Sequence, residues 1–245
     1  MSAASATAFA AGALLFLALT ASAQERTDTS RSAAEAPLVD VVLPAGTTSL
    51  EGYRIGTYPD PADRGPSYAA PATLTRVGPD QLDVALSEHF RVGQFLCKQE
   101  AGWPRFVVVQ PRLLALLEAT VVALTERGHP VQTLAIMSGY RTPAYNQALG
   151  NVAHSRHIYG DAADVFVDED GNGRMDDLDG NGREELADAL WLRDLIASLV
   201  PAVETPDTLP VGGLAAYAET TEHGPFVHID ARGYPARWGV GRPSP

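Results

Sequence analysis

The chain has 245 residues, 45% hydrophobic and 20% charged, a globular composition with material for one or two cored domains. A formal net charge of −12 argues against nucleic acid or anionic lipid as a partner. The single cysteine, Cys97, has no partner for an internal disulfide, and its apolar Phe95-Leu96-Cys97 setting suits a core residue rather than a nucleophile.

Residues 8–20 are apolar, and Ala21-Ser22-Ala23 forms an A-x-A cleavage pattern, so residues 1–23 read as an export signal. No Lys or Arg precedes the apolar run. The run is short for a membrane span, so no stable span is expected after cleavage; an N-terminal anchor is the alternative. Residues 24–76 read as a disordered to loop-rich segment, polar at first and then rich in Pro and Gly. Within it, 39–43 reads as a strand and 50–56 as an edge piece.

A compact domain is expected over 77–245. Ser87 is placed to cap a short helix running past Phe90 and Phe95, and 106–109 reads as a strand. Pro111 then opens the clearest helix, with Leu113, Leu114, Leu117, Val121 and Leu124 at helical spacing and Gly128 as terminator. Further strands are expected at 131–137, 161–167, 211–217 and 226–230, and a second long helix at 184–200. The elements interleave without a repeating βαβ period. That predicts an α+β fold, a small mostly antiparallel sheet with flanking helices.

The chemistry is concentrated in Ser138-Gly139-Tyr140-Arg141-Thr142-Pro143 and in Ser155-x-His157-x-x-Gly160-x-Ala162-x-Asp164. His157 and Asp164 suit a transition metal, and the small residues between them let the backbone fold back past an ion. His228, in the strand-like Phe226-Val227-His228-Ile229-Asp230, offers a third ligand. Two histidines and one carboxylate leave a fourth position open, the ligand count of a hydrolytic zinc site rather than a closed structural one. Asp230 lies two residues on and shares the face of His228, where it would support a ligand from outside.

These motifs, with the closing His223-Gly224-Pro225-Phe226-Val227-His228-Ile229-Asp230, resemble the zinc D-Ala-D-Ala carboxypeptidase family, whose fold is shared with lysostaphin-type peptidases and the hedgehog domain. The resemblance covers roughly residues 85–240. It implies Zn2+ on His157, Asp164 and His228, with Arg141 stabilising the oxyanion or, alternatively, forming a structural salt bridge. Ser155 and Tyr140 would contact substrate. Many relatives carry an acidic general base three positions before the last histidine. Here that position is Pro225, which cannot exchange a proton. Some relatives carry a histidine five positions before it, and His223 stands there. Glu222 and Asp230 are the other candidates.

Between Asp164 and Asp188 lie ten acidic residues and two arginines, a local net of −8. The acidic loop 168–188 reads as two overlapping EF-hand-like registers for Ca2+. The first uses Asp168, Asp170, Asn172, Asp176 and Asp179. The second uses Asp177, Asp179, Asn181, Glu185 and Asp188. Both place Asp where Glu normally supplies a bidentate contact. An acidic solvated loop without metal is the alternative.

The resulting expectation is an exported, periplasmic or extracellular, wall-associated zinc peptidase acting on peptidoglycan stem peptides, as a D,D-carboxypeptidase or endopeptidase. Its rivals are a silent wall-binding module that keeps the metal pocket and a calcium-binding adhesion module. Oligomeric state is not legible in the sequence.

Overall fold

Along 162–166 and 226–230 the polar residues Asp164, His228 and Asp230 all fall on one face, and this placement decides which side of the molecule carries chemistry. The computed structural model describes residues 37–201, 204–205 and 207–241, so the expected export signal lies outside the described residues. The described residues belong to one compact unit. The fold is α+β.

The strands are β1 (Val39–Val42), β2 (Ser49–Leu50), β3 (Tyr53–Arg54), β4 (Thr73–Val77), β5 (Arg105–Val107), β6 (Ala135–Ser138), β7 (Ala162–Phe166), β8 (Gly213–Tyr217), β9 (Phe226–Asp230) and β10 (Ala236–Gly239). The helices are α1 (Pro111–Glu126), α2 (Pro143–Ala148) and α3 (Leu186–Leu199). A five-stranded sheet has the order β10-β8-β9-β7-β6, antiparallel except for β10 beside β8. A second sheet runs β1-β4-β5, and β2 and β3 form a hairpin.

In β7 and β9, Ala163, Val165, Val227 and Ile229 point into the main core, where Leu192, Leu195 and Ile196 of α3 also lie. Each of the valine, leucine and isoleucine side chains removed from water contributes roughly 1.5–3 kcal/mol. The other face carries Asp164, Phe166, Phe226, His228 and Asp230, as period-two alternation requires. Helix α1 packs against α3 and buries Leu113, Leu116, Leu117, Val121 and Leu124 on one stripe. It opens with Pro111 and is followed by Gly128 at φ 92°, as its sequence signals.

Three expectations change. The boundary at 76/77 falls inside β4, and the segment before it is woven into the domain: β1 pairs with β4, and Tyr53 and Ile55 are buried in the common core. A few well-spaced apolar residues anchor what its Pro and Gly content makes look like loop. The helix expected after Ser87 is a single 3-10 turn at Val92–Phe95. Strand β10 has no counterpart in the sequence reading. Among the described residues no helix is long and apolar enough to cross a membrane.

Candidate metal centre

Asp164 and His228 are direct register partners on neighbouring antiparallel strands. The third residue, His157, comes from a 3-10 turn, Arg156–Tyr159, that ends on Gly160. Gly160 has φ 75°, and a Cβ there would lie 2.3 Å from the Val108 carbonyl oxygen. Only glycine meets both demands, so this turn can deliver His157 only with glycine after it. Arg156 forms a buried ion pair with Asp161, its guanidinium lying 4.5 Å from the Tyr68 ring centroid and 4.9 Å from that of Tyr159. This clamp fixes the turn, and Tyr68 brings the N-terminal segment into the support of the site.

His157, Asp164 and His228 are all buried, and each offers a ligand atom within 4.8 Å of the others. His228 Nδ1 lies 2.9 Å from Asp164 Oδ1 and 3.3 Å from His157 Nε2. The opposite ring nitrogens are held from outside. His157 Nδ1–H donates to the Gly139 carbonyl at 2.7 Å, and His228 Nε2 lies 3.2 Å from Asp230 Oδ2. Asp230 in turn accepts from Arg232 and from the Gly213 backbone N–H. One nitrogen turned inward and the other anchored outward is the arrangement of metal-binding imidazoles.

Burial works against the charge of Asp164, but the two adjacent imidazoles hold its carboxyl well below the usual range. Burial likewise opposes a proton on His228, and Asp164 and Asp230 outweigh it, raising that imidazole to about 9. His157 is lowered by its burial. Two nitrogens and a carboxylate oxygen in a buried cluster fit a borderline-soft divalent cation such as zinc.

Arg141 donates from Nη2 to Asp164 Oδ2 at 2.5 Å and from Nε to Ser138 Oγ at 2.8 Å. The salt bridge considered as its alternative role exists, and it places the guanidinium at the cluster itself. Ser155 precedes the 3-10 turn and is 9% exposed. Tyr140 is a correction: it is 1% exposed and its hydroxyl bonds to that of Tyr58 at 2.9 Å, so substrate cannot reach it. It precedes Arg141 in the motif, but the turn sends its ring into the core.

His223 is not among the clustered groups. Its Nδ1–H donates to the Gly224 carbonyl at 2.8 Å, and its ring meets Phe226 edge-on at 5.0 Å. Glu222 is exposed beside it. Asp230, at 1% exposure, has its oxygens taken up by His228, Arg232 and Gly213, which makes it a positioning group and a poor base. Trp238 was not foreseen: its ring lies 5.1 Å from that of His228, and its Nε1–H donates to Tyr217 Oη at 2.7 Å. It sits on β10, the strand that sequence patterning did not reveal.

The acidic loop divides into two groups, Asp168/Asp170/Asp176 and Asp177/Asp179/Asp188. Asp179, shared by the two registers in the sequence, joins the second. Asp188 is fully buried, accepting from the backbone of Leu178, Asp179 and Glu185, and it caps α3 together with Glu185. Asn172 and Asn181 make side-chain bonds within the loop, to Asp170 and Glu184 and to Glu185 respectively.

Two imidazoles and a carboxylate gathered in a buried cluster on this α+β fold make a candidate divalent-metal site. Residues 88–179 match the Peptidase M15 family model. The match contains Arg141, His157 and Asp164 and ends before His228. No curated protein matches the chain.

Proposed function

We propose that this chain hydrolyses peptide bonds in peptidoglycan stem peptides, as a D,D-carboxypeptidase or endopeptidase, with zinc on His157, Asp164 and His228. The observation that carries this reading is the convergence of those three donors within 4.8 Å, two of them, His157 and Asp164, inside the stretch that matches the Peptidase M15 model. Zinc supplies a Lewis acid that polarises the scissile carbonyl and activates water. Gly139 and Asp230 hold the two imidazoles in their ligating orientation. Arg141 adds positive charge beside the cluster, where an oxyanion needs it. His223 is the proposed base: with Nδ1–H committed to Gly224, its Nε2 is the nitrogen left to accept a proton. The apolar leader and A-x-A pattern support an exported protein.

Incubation of the purified protein with muropeptides, with and without chelator, tests this. Chelator-sensitive release of D-alanine or cut cross-links is expected. A zinc-loaded protein that binds wall material and releases nothing would favour the silent binding module, for which Pro225 speaks. A protein that takes up no zinc would overturn both.

We also propose that the acidic loop takes calcium. In support, Asp168 Oδ1 is shielded from solvent and has no hydrogen-bond partner among the described residues, beside the carboxylates of Asp170 and Asp176. The loop leaves directly from the end of β7, and the Asp176 N–H donates back to the Val167 carbonyl at 3.0 Å. Calcium bound there would stiffen the strand that presents Asp164. Unchanged melting temperature and activity on removing calcium at constant zinc would refute this.

A further inference from the structure

Two residues along from Asp164 and from His228, on the same sheet face, stand Phe166 at the end of β7 and Phe226 at the start of β9. There a cavity of about 280 Å³ opens, lined by Lys98, Phe166, Arg174, Glu222, His223 and Pro225 among others. Its floor is therefore continuous with the strands that carry the ligands. One wall belongs to the acidic loop. The wall bearing Lys98 adjoins the Arg141 turn, since Tyr140 N–H donates to the Phe95 carbonyl and Thr142 N–H to Cys97 Sγ.

The charges in this cavity are unusual for the chain. Lys98 is the only lysine in the sequence, against 17 arginines. It is exposed, and among the described residues its ammonium has no ion-pair or hydrogen-bond partner. The carboxylate of Glu222 is likewise without a partner there, although both residues line one cavity. Arg174, by contrast, is occupied by Glu184 at 3.2 Å and Glu219 at 3.7 Å. A free cation and a free carboxylate that share a pocket without meeting are complementary to a ligand carrying both charges.

We propose that this cavity is a specificity subsite that receives a zwitterionic amino-acid group of the peptide, its carboxylate on Lys98 and its ammonium on Glu222. The proposal rests on the peptidase reading and adds which substrates the site selects. The apolar floor of Phe166 takes the carbon chain between the two charges. A charge-assisted hydrogen bond at a partly solvated site contributes about tenfold or more in affinity, so each contact should be measurable alone.

The test compares one peptide bearing a free side-chain amine and carboxylate with its amidated and its N-acetylated forms. Hydrolysis by the zinc-loaded protein and calorimetric binding to the metal-free protein are both measured. For wild type, amidation should raise KM and Kd about tenfold. In Lys98→Met the free peptide should be as weak as the amidated one, with the melting temperature unchanged. In Glu222→Gln the penalty for acetylation should vanish in the same way. Hydrolysis with amidation and acetylation penalties that persist undiminished in the variants, or that are absent from wild type, overturns the subsite and leaves the peptidase reading standing. Charge-dependent binding that the variants abolish, without hydrolysis by wild type, keeps the subsite and overturns the peptidase reading.

Discussion

Asp230 Oδ2 stands 3.2 Å from His228 Nε2 while Arg232 grips the same carboxylate from the far side at 2.6 Å. The acid is thereby fixed as the rear support of one imidazole. Asp230→Asn should lower zinc affinity by about 10–100-fold, the usual cost of losing an outer carboxylate. A competitive zinc titration reads this directly, and an unchanged affinity would show that the strand alone orients His228.

Gly213 touches the same support. A Cβ at this position would lie 2.3 Å from Asp230 Oδ2 and 2.7 Å from the Trp238 ring. Gly213→Ala should therefore cost about 1–3 kcal/mol of stability through overpacking and weaken zinc binding as well. Thermal unfolding paired with a zinc titration checks both halves; loss of stability alone would mean that Asp230 yields without consequence.

Arg141 is buried to 12% side-chain exposure and bonded to Asp164. In the peptidase reading, Arg141→Gln should reduce kcat by about 10²–10³-fold, the scale of losing one oxyanion donor. Stoichiometric zinc in the inactive variant would separate this loss from loss of the metal. A variant with near-normal kcat would reduce Arg141 to its salt bridge.

Far from the site, Glu118 accepts from the His89 backbone N–H at 2.9 Å and meets His89 Nδ1 at 2.5 Å. Burial works against its charge, but these contacts prevail and hold its carboxyl below the usual range. A depressed folded value means the contribution is complete above the ordinary glutamate value of about 4.3 and disappears as pH falls through the lower folded one. Glu118→Gln should be about 1 kcal/mol less stable at pH 7, with the gap closing below about pH 4. Urea unfolding at the two pH values decides it.

The parts of this protein legible in sequence are those where chemistry and period coincide. Gly160, Ala162 and Asp164 are spaced by the needs of a tight turn entering a strand, and the run from Phe226 to Asp230 alternates as a one-sided strand must. Helix α1 announces itself through its leucines and terminal glycine. What escaped notice lacks a local signal. Strand β10 is four residues long and half-exposed, and it acquires its identity from pairing with β8. Tyr53, Ile55 and Tyr68 are single buried residues among prolines and glycines, so no periodicity marks them. The Tyr140 ring and the Arg141 guanidinium are adjacent in sequence and sent to opposite environments by the turn between them.

Because Asp164 and His228 are register partners on strands 64 residues apart, chelation is a property that the chain acquires late. A polypeptide emerging from the ribosome through residue 200 possesses two donors and lacks the third. Assembly of the three-donor cluster then waits on the pairing of β7 with β9, and metal uptake would report its completion.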